Sequence, residues 1–299
     1  MAKRLLNATA SDILAMSKEE KLTAIKANEG RTVMSENVCT QIPRVSGNVT
    51  NSEVAASLSS DLIMLNTIDL FEPFIYGLPE TDHPIRLLKD LTGKMIGVNL
   101  EPVDLHAPML ETMDVISKGR MAIRETFERA NELDIDFICL TGNPGTGVSN
   151  PEIINAVKLA KTVYNGIIVA GKMHGAGVAE DVLDYAAIDH FIENGADIIL
   201  LPAAGTVPGV SQEAVAKACL QIKRAGVLSL VANGTSQDCA QEETIRQIAI
   251  MNKMAGADIH HIGDAGPGGI APWQNILALS VAIRGDRHTL RLMGSSVKR

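Results

Sequence analysis

Short apolar segments recur along this chain at intervals of roughly 30 residues. The segments begin close to Thr32, Leu62, Met95, Phe137, Ile167, Ile198, Val227 and Ile259. Each is about 4–6 residues long, the length of a strand, and a segment with helical periodicity follows each of them. Because parallel neighbours need a crossover connection, this strand–helix repeat predicts a parallel sheet.

The residues that introduce these strands alternate. Aspartates precede the even-numbered strands and glycines precede the odd-numbered ones: Asp61, Asp136, Asp197 and Asp258, against Gly30, Gly93, Gly166 and Gly226. Four alternating pairs predict a closed (β/α)8 barrel, where odd and even strands fill separate layers; an open doubly wound sheet would not predict the alternation. We therefore expect an α/β fold with one barrel domain over residues 1–299.

Helices are predicted between the strands. Their expected ranges are 52–58, 85–91, 120–133, 151–164, 179–194, 212–224, 240–255 and 272–284. A lead-in helix capped near Ser11 is expected within 10–29. The longest non-periodic stretches, 39–51, 101–119 and 202–210, follow strands, on the side where barrels place their active sites.

Composition narrows the class of ligand. Aromatic residues make up 3% and the net charge is −8. A nucleic-acid partner is therefore not expected, because stacking platforms and positive charge are both scarce. No signal peptide or membrane span is predicted, and four scattered cysteines favour reduced thiols, so we expect a cytoplasmic protein. A small-molecule partner fits best, and homo-oligomerisation is left open.

Alternation along strands three and four predicts which side chains enter the barrel mouth. On strand three, Gly97, Asn99 and Glu101 share the inward parity, and a carboxylate there can act as a general base or a metal ligand. The alternative for Glu101 is a loop carboxylate that caps a turn. On strand four, Thr141 and Asn143 face inward and lead into a glycine-rich turn that binds a ligand oxygen or only turns the chain.

Strand five ends with Ala170, Lys172 and His174 on one parity, which we expect to face inward. Lys172 would act as a clamp for an anion or, with a lowered pKa, as a Schiff-base nucleophile. The alternative is a rim lysine paired with Glu101 or Asp264. His174 beside it would transfer protons.

The loops after strands seven and eight predict a phosphate site, because barrels often form one there. Its expected contacts are Asn233, Gly234, Thr235, Ser236, Asp264, Gly266, Gly268 and Gly269. Ordinary turns are the alternative for the glycines. His260 and His261 must face opposite ways, so at most one enters the site. Parity does not decide which of Ser35, Glu36, Asn37 and Asn66 face inward.

By its eight units and its two glycine loops, the chain resembles phosphate-binding aldolase-type barrels, and most of all an uncharacterised set of bacterial barrels. Residues 45–56 and the following strand to Asn66 resemble the opening of phosphoenolpyruvate-mutase and isocitrate-lyase-like barrels. Those families use an acidic magnesium cluster and a Lys-Lys-Cys-Gly-His-type loop, and this sequence contains neither. No catalytic residue is transferred from them.

The sequence therefore predicts an enzyme of lyase, isomerase or mutase type that acts on a small phosphorylated or carboxylated metabolite. Glu101 would be the base, and Lys172 and His174 would stabilise the developing oxyanion. The alternatives are a Schiff-base aldolase using Lys172 and a non-catalytic metabolite-binding regulator. A divalent cation such as Mg²⁺ is compatible with this chemistry, but no residue is assigned as a metal ligand.

Overall fold

The computed structural model, which describes residues 3–45 and 47–299, contains a closed barrel of parallel strands in chain order, β1 to β8. Met1, Ala2 and Ser46 lie outside the described residues, so the start of the chain and one position of segment 45–56 are not discussed further. The strands are Thr32–Val38, Leu62–Asn66, Met95–Leu100, Phe137–Leu140, Ile167–Gly171, Ile198–Pro202, Leu228–Asn233 and Ile259–Ile262. The predicted (β/α)8 fold is confirmed, and every predicted strand start is within one residue of the observed one.

Ten α-helices, α1 to α10, are present in the described ranges. They are Ala10–Ala15, Lys18–Lys26, Asn51–Ser57, Pro84–Thr92, Arg124–Glu132, Asn150–Val163, Tyr185–Glu193, Gln212–Arg224, Glu242–Ala255 and Trp273–Met293. Short 3₁₀ turns occur at Leu5–Asn7, Lys118–Arg120 and Gln237–Cys239. The last helix continues past the predicted end at residue 284, with a non-helical residue at Gly285.

Two predicted helix starts are wrong because the residues concerned make tertiary contacts. α5 begins at Arg124 rather than at residue 120, because Arg120 turns back to pair with Glu101. α7 begins at Tyr185 rather than at residue 179, and the Asp184 carboxylate accepts the first free N–H groups of the helix. Glu180, expected in the helix, instead lies in a loop where it contacts another strand end.

The lead-in region consists of two helices instead of one. Each begins with a capping box, formed by Thr9 with Asp12 and by Ser17 with Glu20, so the cap expected at Ser11 is wrong. Both helices lie at the N-terminal end of the barrel, where Ile13 and other apolar residues join the interior core cluster. The lead-in therefore closes the end of the barrel opposite the expected active site.

Side chains alternate between the barrel interior and the layer beneath the helices. The interior cluster includes Met34, Met64, Phe137 and Leu230, whereas residues of the other parity pack against the helices. Gly97 faces inward, and a Cβ there would lie 2.2 Å from the Phe137 ring. The aromatic ring therefore occupies the space that a side chain at position 97 would need.

The aspartates before the even strands form a repeated clamp. Each carboxylate accepts the backbone N–H of the second residue of the preceding odd strand at 2.8 or 2.9 Å. The pairs are Asp61 with Val33, Asp136 with Ile96, Asp197 with Ile168, and Asp258 with Ser229. Asp136 also contacts Lys21 at 2.6 Å and Lys89 at 3.2 Å. The alternation in the sequence thus reflects a structural device at the N-terminal end, as expected for that end of a barrel.

Parallel strands in this register bring their inward side chains together at the carboxyl end of the barrel. Glu36, Asn66, Asn99 and Thr141 follow one another around the rim from β1 to the end of β4, and the loops after β7 and β8 complete it. Among the helices of the described residues, none is long and apolar enough to cross a membrane.

Candidate active site at the carboxyl end of the barrel

A cavity of about 130 Å³ opens at the carboxyl end of the barrel. Carboxyl, amide, hydroxyl and imidazole groups from most of the strand ends line it, together with glycines. Its lining is Glu36, Asn66, Asn99, Thr141, Gly142, Asn143, Pro144, Met173, His174, Gly234, Thr235, Ser236, Asp238, Gly263, Asp264 and Ala265. The volume is below the roughly 300–1,000 Å³ of sites for drug-sized ligands, so the cavity suits a small metabolite.

Glu36 and His261 form a buried pair at the base of the cavity. The Glu36 Oε2 atom lies 3.0 Å from His261 Nε2, and both side chains are almost fully buried. Burial, reinforced by the negative charges of Asp238 and Glu101, raises the pKa of Glu36 to about 8. Burial lowers the pKa of His261 to about 4. Near neutral pH the Glu36 carboxyl group is therefore mostly protonated, and the His261 ring is uncharged. The exchangeable proton of the pair is the carboxyl proton.

Two further carboxyl groups face the same cavity. Burial and the charge of Glu36 raise the pKa of Asp264 to about 7, although an Asn66 hydrogen bond opposes the rise. Burial also raises the pKa of Asp238, whose Oδ2 accepts the Ala265 N–H at 2.9 Å. Its Oδ1 is buried and has no hydrogen-bond partner within the described residues. Asp264 can therefore exchange a proton at physiological pH, which ordinary surface carboxylates do not.

Three asparagines connect the cavity walls. Asn66 Nδ2 donates to Asn143 Oδ1 at 2.8 Å and to Asp264 Oδ2 at 2.9 Å. Asn143 Nδ2 donates back to Asn66 Oδ1 at 3.0 Å, and Asn99 Nδ2 approaches the same oxygen at 3.3 Å. The Oδ1 of Asn99 is buried without a partner among the described residues. The network fixes amide positions on neighbouring strands and leaves an acceptor free at the cavity.

His174 lines the cavity after the end of β5. Its Nδ1 accepts the Ala176 N–H at 3.0 Å, which places the ring proton on Nε2 in the neutral tautomer. Burial, with the nearby charge of Lys172, lowers the pKa of His174 to about 4. The ring is therefore neutral at pH 7 and can donate an N–H hydrogen bond to a ligand oxygen.

Glu101 does not line the cavity, although the sequence predicted it as the base. Its Oε1 contacts an Arg120 guanidinium nitrogen at 2.6 Å, and its Oε2 accepts the Asn143 N–H at 2.8 Å. The carboxylate is 1% exposed. This arrangement makes Glu101 a support that orients Asn143, and the loop 101–120 supplies its charge partner.

The inward parity predicted for strand five is wrong. Ala170 packs in the layer beneath the helices, while Met173 joins the interior cluster. Gly171 ends the strand with a φ of 145°, and a Cβ there would lie 2.1 Å from the Leu200 carbonyl oxygen. Val169 and Met173 keep the same inward parity on either side of Gly171, and His174 reaches the cavity from the loop beyond the end of β5.

Lys172 lies outside the cavity lining and pairs with Glu180. The Glu180 Oε1 atom also accepts the Asn150 N–H at 2.9 Å. Burial lowers the pKa of Lys172, but Glu180 opposes that effect. A lysine paired with a carboxylate was the alternative considered from the sequence, although the partner expected there was Glu101 or Asp264.

The loop after β7 contributes Gly234, Thr235 and Ser236 to the cavity, as expected. Thr235 and Ser236 have φ values of 55° and 63°. Their backbone N–H groups form no hydrogen bond within the described residues. Asn233, the last residue of β7, does not line the cavity, and both of its side-chain amide atoms are buried without a described partner. The loop thus offers free donors at the mouth, whereas Asn233 does not.

The glycines after β8 have a different environment. Gly263 and Asp264 line the cavity, but Gly266, Gly268 and Gly269 do not. A Cβ on Gly268 would lie 2.9 Å from Arg44 Cγ, and Gly269 O accepts the Val38 N–H at 2.8 Å. Close packing against the loop after β1 is therefore the observed role of these glycines. Their predicted contact with phosphate stays a prediction.

A family model, described as "Domain of unknown function (DUF7916)", matches residues 6–299. The chain belongs to this family. A comparison of the DUF7916 chain with curated proteins gives no match.

Solved structures resemble the DUF7916 chain in fold. An archaeal fructose 1,6-bisphosphate aldolase is 15% identical, with a TM-score of 0.53 over 88% of this chain and 98% of the aldolase. A 2,3-dimethylmalate lyase, titled a PEP mutase/isocitrate lyase superfamily member, is 13% identical, with a TM-score of 0.50 over 85% of this chain and 81% of the lyase. These likenesses confirm the resemblance to aldolase-type barrels at the level of the fold.

A resident Mg²⁺ does not fit the side chains at the mouth of this DUF7916 barrel. Within residues 3–45 and 47–299, no group of three or more His, Cys, Asp or Glu side chains is arranged to hold a metal ion. The carboxylate of Glu101 is already bound by Arg120, and the Glu36 carboxylate is bound by His261. The side chains at the mouth therefore do not supply a ligand set for Mg²⁺.

Four residues of this site were not identified from the sequence. The sequence does not decide the orientation of Glu36, because β1 carries polar residues on both parities, and Asn66 stands alone as the last residue of the otherwise apolar β2. His261 was assigned no role, and Asp238 was not considered because it lies in a 3₁₀ turn outside any strand pattern. One signal in the sequence could have identified His261. Adjacent strand residues face opposite sides, and His260 faces away from the cavity, where its ring bonds the Gly30 carbonyl at 3.2 Å.

Proposed function

We propose that this barrel is a lyase or isomerase that moves a proton on a small metabolite carrying a carbonyl and a carboxylate or phosphate group. The observation that carries the proposal is the set of titratable carboxyl groups at the cavity. Glu36 and Asp264 face one small cavity and have pKa values of about 8 and about 7. General acid–base catalysis works best when the pKa of the catalytic group lies near the operating pH.

Asp264 is the stronger candidate for the base. Its pKa of about 7 leaves a substantial fraction ionised at neutral pH, and Asn66 holds one of its oxygens at 2.9 Å. Glu36, with the higher pKa, is the candidate acid that returns the proton. His261 holds the Glu36 carboxyl group at 3.0 Å and so fixes the direction of its proton. Two carboxyl groups whose pKa values differ suit the two opposite roles.

The developing oxyanion would be stabilised by hydrogen-bond donors at the same rim. The neutral His174 ring supplies an Nε2–H, because its Nδ1 is already an acceptor. Donors positioned for charge that develops in the transition state are typically worth about 3–4 kcal/mol each. The free N–H groups of Thr235 and Ser236 would hold the carboxylate or phosphate end of the substrate. Gly266, Gly268 and Gly269 lie outside the cavity lining, so contact between them and a phosphate would require the loop after β8 to move.

The alternatives have less support. A Schiff-base mechanism would need Lys172 Nζ in the cavity, but Lys172 is paired with Glu180 outside the lining. A metabolite-binding regulator would use the same cavity without turnover. Three carboxyl groups buried at one site destabilise the folded chain, and a site that only bound an anion would not require them.

Proton exchange in D₂O tests the proposal without knowledge of the full reaction. The protein is incubated with a panel of small 2-oxo acids, amino-substituted oxo acids, and phosphorylated ketoses and aldoses, and loss of C–H signals adjacent to the carbonyl is followed by ¹H NMR. We expect exchange with at least one compound, and a loss of more than about 100-fold in Asp264→Asn and Glu36→Gln. Glu128→Gln, on the exposed face of α5, is the matched control.

Two results would contradict the proposal. Exchange that persists in both cavity variants would place the chemistry elsewhere. Binding of a panel compound, seen as a rise in melting temperature, without exchange for any member of the panel would favour the regulator. Borohydride trapping of a carbonyl compound on Lys172 would instead support the Schiff-base alternative.

A further inference from the structure

We propose that the natural ligand of this cavity is a small zwitterion, and that its ammonium group lies against the carboxyl groups of Asp238, Glu36 and Asp264. The inference rests on the proposed function for the location of the site, and it specifies the class of substrate. The opposite end of the ligand, a carboxylate or phosphate, would lie at Thr235 and Ser236. Three observations support an ammonium group.

The first observation is the charge of the cavity lining. It includes Glu36, Asp238 and Asp264, but no lysine or arginine. Arg120 and Lys172, which follow β3 and β5, are already paired with Glu101 and Glu180, respectively. A purely anionic ligand would therefore meet carboxyl groups with no compensating positive charge from the protein. A ligand that brings its own positive charge removes this conflict.

The second observation is an acceptor without a donor. Asp238 is fully buried, yet its Oδ1 has no hydrogen-bond partner within residues 3–45 and 47–299. The Oδ1 of Asn99, on another wall of the cavity, is also buried without a partner there. A buried acceptor that is left unpaired destabilises the folded chain, and a charged acceptor does so more strongly. An ammonium group brings three N–H donors, so it can supply what Asp238 lacks.

The third observation is the mutual repulsion of the carboxyl groups. Burial is the largest cause of the raised pKa of Glu36, and the negative charge of Asp238 is the second largest. For Asp264, burial is again the largest cause, and the charge of Glu36 is the second largest. A bound cation would lower the pKa of each carboxyl group, and Glu36 and Asp264 would release protons. A hydroxyl group cannot do so, because it carries no charge. A metal ion would, but the described side chains do not form a metal-binding group.

The size of the cavity limits the ligand. At about 130 Å³ it suits a molecule with few heavy atoms, such as a three-carbon amino acid or a two-carbon amino phosphate. Glu36 and Asp264 lie on the β8–β1 side of the site. Asp238 and the free backbone N–H groups of Thr235 and Ser236 belong to the loop after β7, so the ammonium group would lie between that loop and the β8–β1 side.

Paired probes that differ only by an amino or a hydroxyl group test the inference. L-Serine is compared with L-glycerate, and 2-aminoethyl phosphate with 2-hydroxyethyl phosphate, by isothermal titration calorimetry at pH 7. In at least one pair the amino compound should bind about tenfold more tightly or better. Its binding should release up to about one proton, measured from the dependence of the enthalpy on buffer ionisation in PIPES and Tris.

The groups that can supply or take up this proton are Glu36, Asp238, Asp264, His261 and His174. Of these, Glu36 and Asp264 release protons when a cation binds, whereas the two histidines are already neutral at pH 7 and would take protons up only if an anion approached them. The sign of the measured proton transfer therefore identifies the end of the ligand that the carboxyl groups contact.

Variants separate this contact from general effects on folding. Asp238→Asn should weaken binding of the amino probe about tenfold and leave the hydroxyl probe unchanged. Glu36→Gln should reduce proton release while retaining the fold, and it serves if Asp238→Asn does not fold. Asp90→Asn, an exposed residue of α4, is the matched control and should bind all probes as the wild type does.

Several results would overturn the inference. These are equal or tighter binding of the hydroxyl probes, proton uptake on amino-probe binding, or no binding of any probe at up to about 10 mM. Stabilisation by Mg²⁺ alone, abolished in Asp238→Asn, would assign the carboxyl groups to a metal. Proton exchange in D₂O with a compound that lacks nitrogen, together with failed amino probes, would refute only this inference. Tight amino-probe binding without exchange would refute only the proposed reaction.

Discussion

Glu36→Gln should make the protein more stable at alkaline pH, although it removes a proposed catalytic group. Glu36 is 4% exposed, and burial raises its pKa from 4.5 to about 8. The stability that such a group contributes is fully present below about pH 4.5 and is lost as the pH rises through about 8. Above that range, the folded chain contains a buried carboxylate that the unfolded chain would hold in water.

The magnitude follows from the two pKa values. One pH unit corresponds to 1.36 kcal/mol, so the full change between the two values is about 4–5 kcal/mol. Between pH 5 and pH 8 the expected loss is about 3–4 kcal/mol, because part of each transition lies outside this interval. Glutamine does not titrate, and its amide can still form a hydrogen bond with His261 Nε2. The difference in unfolding free energy between Glu36→Gln and wild type should therefore shift by about 3–4 kcal/mol in favour of the variant.

Urea unfolding at pH 5 and pH 8, followed by circular dichroism, measures this shift. Because both chains are compared at each pH, the titration of other groups largely cancels. Glu128→Gln, with its side chain in water, should change the unfolding free energy by less than about 0.5 kcal/mol at both pH values. A Glu36→Gln effect that is equal at pH 5 and pH 8 would refute the raised pKa of Glu36 and the acid role built on it.

Three further predictions concern the barrel and the rim. Asp136→Ala should lower the unfolding free energy by about 3–5 kcal/mol in urea titrations, because it leaves a buried N–H and Lys21 without their partner and removes one of the two carboxylates that Lys89 contacts; Asp90→Ala should cost under about 0.5. Gly97→Ala should cost about 1–3 kcal/mol, and adding Phe137→Leu should recover part of it; no recovery would show that the ring is not the obstacle. His174, with a pKa of about 4, should show the neutral Nε2–H tautomer in ¹⁵N NMR spectra at pH 6, and protonation there would contradict its role as a neutral donor.

The barrel was predictable from the sequence because its signals are local and repeated. Each strand is an apolar segment bounded by turn residues, and eight repetitions leave little freedom in topology. The alternation of aspartates was visible in the sequence. Its physical cause was not, because the N–H that each carboxylate accepts lies on a strand 28 to 40 residues earlier.

The site was less predictable because its members depend on contacts that the strand pattern does not encode. The parity expected for β5 was the wrong one: Val169 and Met173 belong to the interior cluster, whereas Ala170 lies beneath the helices. Glu101 was correctly assigned to the inward parity, but a distant loop returns Arg120 to neutralise it. Local periodicity gives the direction of a side chain and not the charges that it meets.

Glycine-rich composition was also ambiguous. The loop after β8 was expected to hold phosphate along its length, yet only its first residues line the cavity. Gly268 and Gly269 are used where two loops approach closely, with Cβ positions 2.7–2.9 Å from neighbouring side chains. Glycine permits close approach of any partner, and the sequence does not distinguish a ligand from another loop.

The proposed proton transfer at the cavity depends most directly on the protonation of Glu36 and Asp264. A ¹³C NMR titration of protein labelled at the Asp and Glu carboxyl carbons measures it in the intact chain. We predict two resonances that titrate near pH 8 and pH 7 and are lost, respectively, in Glu36→Gln and Asp264→Asn. If every carboxyl resonance titrates below about pH 5.5, the cavity holds ordinary carboxylates and the proposed proton-transfer site is refuted.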